Sequence, residues 1–103
     1  MYLAVNNMGN ITDDIVPTEF ELAQNYPNPF KERTTIKYCV PEKMKIVLEV
    51  FNSDGRKVKA LINDVKEAGT HKVEFKTNEL ESGEYLYKLE TTDFFDAKKM
   101  IVL

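Results

Sequence analysis

From Phe20 onward, apolar residues recur at every second position in short runs separated by turn residues, the signature of strands with one buried face. Thr34 to Val40 puts Ile36, Tyr38 and Val40 on one face, and Pro41 ends the run. Lys45 to Phe51 sets Ile46, Leu48 and Val50 against Val47, Glu49 and Phe51, with few polar residues on either side, so this strand is expected at or near the centre of a sheet. Asn52-Ser53-Asp54-Gly55 is turn chemistry, with Asp and Ser able to bond their own backbone and Gly55 free to take positive φ. Lys57 to Ile62 reads as a shorter, less regular strand, and Glu67-Ala68-Gly69 as the next turn. His71, Val73 and Phe75 then face inward against Lys72, Glu74 and Lys76. Asn78 to Gly83 is a loop in which Glu79-Leu80-Glu81 has room for one helical turn. Glu84 to Thr91 sets Tyr85, Tyr87 and Leu89 against Leu86, Lys88 and Glu90. Thr92 to Asp96 turns the chain into a last strand, Ala97 to Leu103. About seven short strands with turns at roughly ten-residue spacing predict an all-β fold, an antiparallel two-sheet sandwich. A closed barrel would call for more even strand lengths.

Ahead of these strands stands Asn25-Tyr26-Pro27-Asn28-Pro29-Phe30. Each proline fixes its own φ and lacks an N–H, and each pushes the residue before it out of the helical region. The run is therefore neither helix nor central strand. It reads as a rigid polyproline-like lead-in with Tyr26 and Phe30 as apolar anchors, and as a device that blunts a sheet edge. Met1 to Glu19 reads as a tail and linker, with a possible strand at Tyr2 to Val5 and turn residues from Asn6 to Asn10. The expected organisation is residues 1–19 as the end of a preceding domain and its linker, and 20–103 as one sandwich.

Composition narrows the function. A net charge of −3 gives no electrostatic footprint for nucleic acid or an anionic membrane. The single cysteine, Cys39, excludes an internal disulfide and reads as an inert thiol in an apolar strand. No stretch approaches the length of a membrane helix, and Met1-Tyr2-Leu3 lacks the layout of a secretion signal. His71 is the only histidine and has no serine or cysteine placed to complete a triad. Asp13-Asp14 and Asn52-x-Asp54 supply oxygen ligands without calcium-loop spacing. No catalytic residue, metal or cofactor is expected.

The blocks from Phe20 to Leu103 also match a family pattern. They resemble the type A C-terminal sorting domain of proteins exported by the type IX, or Por, secretion system of Bacteroidetes and related bacteria. The opening Leu22-x-Gln24-Asn25-Tyr26-Pro27-Asn28-Pro29-Phe30 is its most specific signature. Behind it come the Thr35-Ile36 step into Tyr38 and Pro41, Val50-Phe51-x-x-x-Gly55-Arg56-x-Val58, Ala68-Gly69-x-His71-x-Val73, Ser82-Gly83-x-Tyr85-x-Tyr87-x-Leu89, and Lys99-Met100. A related immunoglobulin-like module of flagellar hook-capping proteins resembles only the later blocks. Tyr2 to Val5 with Gly9-Asn10 resembles the closing strand of a fibronectin type III domain.

The resemblance implies an immunoglobulin-like or fibronectin-III-like β-sandwich that acts as a non-catalytic address. Its partners would be the type IX translocon, a sortase-like peptidase and a covalently attached upstream cargo domain. The cargo would reach the cell surface, or be secreted, by way of the periplasm and outer membrane. The residues implied in recognition or in the motif are Asn25 to Phe30, Gly55, Arg56, Gly69, His71, Ser82, Gly83, Tyr85 and Lys98 to Met100, with the sorting contact placed at Lys98-Lys99. Three departures stand out: Lys31-Glu32-Arg33 follows the Phe where Asn-Pro is common, Phe75 stands where Trp is usual, and Ile101-Val102-Leu103 ends the chain where a basic end is common. The competing reading from the same architecture is a carbohydrate-binding or adhesive module, which displays a planar row of exposed aromatics. A hook-cap-like scaffold is a third.

Overall fold

Fourteen apolar side chains drawn from every long strand except one close into a single core between two antiparallel sheets. The computed structural model describes residues 16–78 and 80–103. In chain order the strands are β1 (Glu21–Leu22), β2 (Arg33–Val40), β3 (Met44–Phe51), β4 (Lys57–Lys66), β5 (Gly69–Lys76), β6 (Gly83–Glu90) and β7 (Phe95–Val102). One sheet has the order β1-β2-β5 and the other β4-β3-β6-β7. Among the described residues there is no helix. The predicted strand at Tyr2 to Val5, the fibronectin-like closing strand and Asp13-Asp14 lie outside the described residues.

The alternation sorts the side chains as period two requires. Ile36, Val40, Ile46, Leu48, Val50, Tyr87 and Leu89 are wholly buried, and Tyr38, Phe75 and Tyr85 nearly so. β3 lies between β4 and β6, the central position its two-sided apolar pattern predicts. Phe30 meets Phe75 edge-to-face with ring centroids 6.2 Å apart, so the ring at position 75 is a core contact between the lead-in and β5.

Two local expectations are corrected. β4 runs to Lys66 rather than stopping at Ile62. Its pairing with β3 shifts register between Leu48 and Glu49 and again between Val50 and Phe51. The side chains it packs against the core are therefore Val58, Leu61 and Ile62, a spacing that hides the strand from a period-two search. β7 starts at Phe95 instead of Ala97, because Glu90 pairs with Phe95 and the Thr91 N–H bonds the Phe94 carbonyl. In the loop before β6, the Leu80 N–H bonds the Thr77 carbonyl beside Asn78 at φ 44°.

Truncation at the centre of the core tests this packing. Leu48→Ala should cost about 2–5 kcal/mol, seen as a lower denaturant midpoint at unchanged slope. Lys59→Ala, on the exposed side of β4, should stay within about 0.5 kcal/mol.

Candidate functional site: the strap from Gln24 to Phe30

After Leu22 the chain leaves β1 but keeps following β2. The Ala23 N–H bonds the Lys37 carbonyl, and Tyr26 and Thr35 exchange two backbone hydrogen bonds of 2.9 Å. The chain then crosses to the other sheet. The Phe30 N–H donates to Ile101, and Leu103 donates to Phe30, so Phe30 bridges β7 at Val102. Residues 24–30 thus form a strap from the edge of one sheet to the edge of the other.

The polar groups under the strap are satisfied internally. Asn25 is almost fully buried; its amide donates to the Pro27 carbonyl and to Thr34 Oγ1, and it accepts from Gln24 Nε2. Thr34, also buried, donates to the Pro27 carbonyl at 2.7 Å. The Tyr87 hydroxyl donates to the Ala23 carbonyl at 2.6 Å and accepts the Asn25 N–H at 2.8 Å. Such buried groups cost free energy only if left unpaired. Burial pushes the Tyr87 phenol up to about 12; the Asn25 N–H opposes that rise and the nearby Asp96 charge adds to it. Burial also raises Tyr38.

On the far side the strap covers the open edge of β7. Gln24 Nε2 donates to the Lys99 carbonyl, and Asn28 Oδ1 accepts the Ile101 N–H. Together with the two Phe30 bonds, these groups occupy backbone positions that would otherwise offer a template for another strand. The edge-blunting reading of the prolines fits this placement. Two other parts of it do not. Both prolyl peptides, Tyr26–Pro27 and Asn28–Pro29, are cis, so the run is not polyproline-like. Phe30 is anchored in the core at 2% exposure, but Tyr26 is no anchor: its ring is 80% exposed.

The other sequence-nominated residues are distributed along the sandwich. Gly55 turns β3 into β4 at φ +86°, where a side chain would be strained. The turn is held by Asn52, not by Asp54 or Ser53: its side-chain Oδ1 accepts the N–H groups of Asp54 and Arg56. Arg56 is exposed beside it. Ser82 and Gly83 start β6 at the same end, and the buried Tyr85 donates its hydroxyl to the Glu81 carbonyl. Gly69 and His71 lie at the opposite end, where the imidazole stacks on Tyr38 with centroids 5.2 Å apart and Nε2 lies 2.8 Å from the Glu67 carbonyl. Lys98 and Lys99 point to opposite sides of β7. Lys98 is half-buried in register with Tyr87, Lys99 is exposed 4.0 Å from Glu84, and Met100 is in the core. Asn25 to Phe30 are brought against Lys98 to Met100, and Gly55, Ser82, Gly83 and Tyr85 gather at the end of the sandwich that carries the β3–β4 turn, where Lys99 also reaches. Gln24, Thr34 and Tyr87, which complete the strap, were not among the sequence-nominated residues, although Thr34 shares the inward phase of Ile36 and Tyr38.

Among the described residues the two most exposed aromatics, Tyr26 and Phe95, sit on different sheets and form no sugar-stacking row. Among the described residues no three or more His, Cys, Asp and Glu side chains gather as metal ligands. Fold and strap together define a β-sandwich module closed by an N-terminal strap. Over residues 24–103 the chain matches the family described as secretion system C-terminal sorting domain, and it belongs to that family. A search of curated proteins returns no match. The chain is thus a type IX C-terminal sorting signal, from a family that is in general non-catalytic, and membership implies export to the cell surface or secretion.

Tyr87→Phe removes the hydroxyl and leaves the buried Asn25 N–H without its acceptor, so it should cost about 1–3 kcal/mol in denaturant unfolding. The pH dependence has a fixed sign. Tyr87 binds its proton more tightly folded than unfolded, so its contribution is intact below pH 10, the ordinary tyrosine value, and lost as pH rises toward about 12. Alkaline melts of the parent should fall through that window with late tyrosinate absorbance, and the fall should be shallower in Tyr87→Phe.

Proposed function

We propose that residues 20–103 are the address by which the outer-membrane translocon of the type IX system accepts an attached upstream cargo, with residues 1–19 as the end of the preceding domain and its linker. Cargo and tail would cross the periplasm together, and a sortase-like peptidase would then remove the tail at the surface. The domain itself performs no catalysis: it supplies a shape to be recognised. The observation that carries this reading is the family match, which spans the strap and every strand from β2 to β7. A supporting point is physical. Most of the strap's polar groups are spent inside the molecule, so what a partner meets is a closed, rigid sandwich with few orphan groups. Among the described residues no helix is long and apolar enough to cross a membrane.

The test is to fuse residues 1–103 behind a periplasm-competent reporter in a cell with a working type IX system. The reporter should become accessible to external protease, and should stay in the periplasm when the translocon gene is deleted. A reporter retained in the periplasm of the intact strain would overturn the proposal. Phe30→Ala, which empties the core end of the strap, should cost about 3–5 kcal/mol and reduce surface display in step with that loss.

A further inference from the structure

The outward face of the β1-β2-β5 sheet differs from the rest of the surface. Register places its residues in rows: Glu21 with Cys39 and Thr70, then Lys37 with Lys72, then Tyr26 with Thr35 and Glu74, then Arg33 with Lys76. Four cations and two carboxylates share this face of a protein whose net charge is −3. Glu74 serves two of the cations, Arg33 at 3.6 Å and Lys76 at 3.9 Å. Lys37 and Lys72 are directly opposite one another, and among the described residues neither is in an ion pair. Like charges facing across an antiparallel pair are destabilising. The other sheet avoids this arrangement: Glu49 faces Lys88 and pairs with Lys57, and Lys99 lies near Glu84.

Beside this unneutralised pair stands Tyr26, the most exposed large hydrophobic side chain among the described residues. It shares a face with Thr35, one step diagonal from Lys37, at a spacing of about 7–8 Å. Its backbone is fixed by two hydrogen bonds to Thr35, so the ring is presented from a rigid base. The Tyr26 side chain is not in the core and makes none of the strap's hydrogen bonds. A preorganised aromatic flanked by unpaired cations is the composition of an interface anchor.

We propose that Tyr26, Lys37 and Lys72 form a docking surface for an acidic protein surface of the export machinery, an inference that rests on the sorting role proposed above. Charge complementarity selects the occupant: an acidic surface relieves the Lys37–Lys72 repulsion, and an apolar notch within it takes the phenol ring. A protein fits better than a lipid bilayer. Among the described residues of this face only two cations are unpaired, fewer than the four to eight of a lipid-binding cluster, and the net charge of −3 opposes adsorption to an anionic membrane.

The experiment compares the reporter fusion of residues 1–103 with its variants in the type IX-competent strain. Lys37→Glu/Lys72→Glu and Tyr26→Ala should each lower surface display about ten-fold or more. The purified fusions should keep the parent's circular dichroism and melting temperature, since these side chains face solvent. Lys37→Arg/Lys72→Arg, which keeps the charge, and Lys45→Glu/Lys59→Glu, which reverses exposed charges on the other sheet, should both leave display near the parent level. Display unchanged in the first two variants would overturn this inference while leaving the sorting role intact. Failure of the parent fusion itself to reach the surface would overturn the sorting role, and this inference with it. Co-sedimentation of the purified chain with phosphatidylglycerol vesicles, lost in Lys37→Glu/Lys72→Glu, would reassign the face to lipid and also overturn it.

Discussion

The Tyr87 hydroxyl holds the arrangement together because it lies where no water is available and must find both a donor and an acceptor in the protein. It finds them two residues apart on one segment: the Ala23 carbonyl accepts its proton and the Asn25 N–H bonds its oxygen. From that point the Asn25 amide reaches Thr34 and Pro27, and Thr34 reaches Pro27 in turn. A small polar network buried between two apolar layers leaves few alternative paths for the chain, because any other path strands several of its members. The position of the strap, the coverage of β7 and the outward presentation of Tyr26 all follow from it.

The two lateral sides of the sandwich are treated differently. On one, the strap ties β2 to β7 with backbone bonds and with the Gln24 and Asn28 side chains. On the other, β4 and β5 are outer strands joined by a tight connection, and they belong to separate sheets. There the protection is of another kind: two bulges twist β4, and Lys57, Lys59 and Lys66 lie along it. Both are recognised defences of an edge against pairing with another chain. The two sheet exteriors differ in the same way, one carrying paired charges around Phe51 and Lys88, the other an unpaired cationic row beside an aromatic.

Much of this was legible in the order of residues, for reasons that are local. Alternation in β2, β3 and β6 reports the pleat directly, and their inward residues form the core as read. Gly55 marks its turn because few other residues take that φ comfortably. Features that depend on distant partners were not legible. β4 hides its extent because bulges at Val58 and Leu61 break the period. The proline ring fixes φ in either peptide isomer, so the residues of the strap did not disclose its course. Tyr26 looked like an anchor from its neighbours, and only the bridge to Thr35 shows that its ring faces outward. Lys98 and Lys99 looked like one cationic patch until the pleat of β7 separated them.

The hydrogen bonds from Gln24 to Lys99 and from Ile101 to Asn28 join positions more than 70 residues apart. The strap and β7 are therefore mutual templates, and neither is fully paired without the other. A polypeptide delivered from its amino end stays unlatched until the closing strand arrives, long after anything ahead of it has had time to fold. A truncated product lacking β7 would leave Gln24, Asn28 and Phe30 without their partners at Lys99 and Ile101 and would bare the outer edge of β6, so the sandwich would be open on that side.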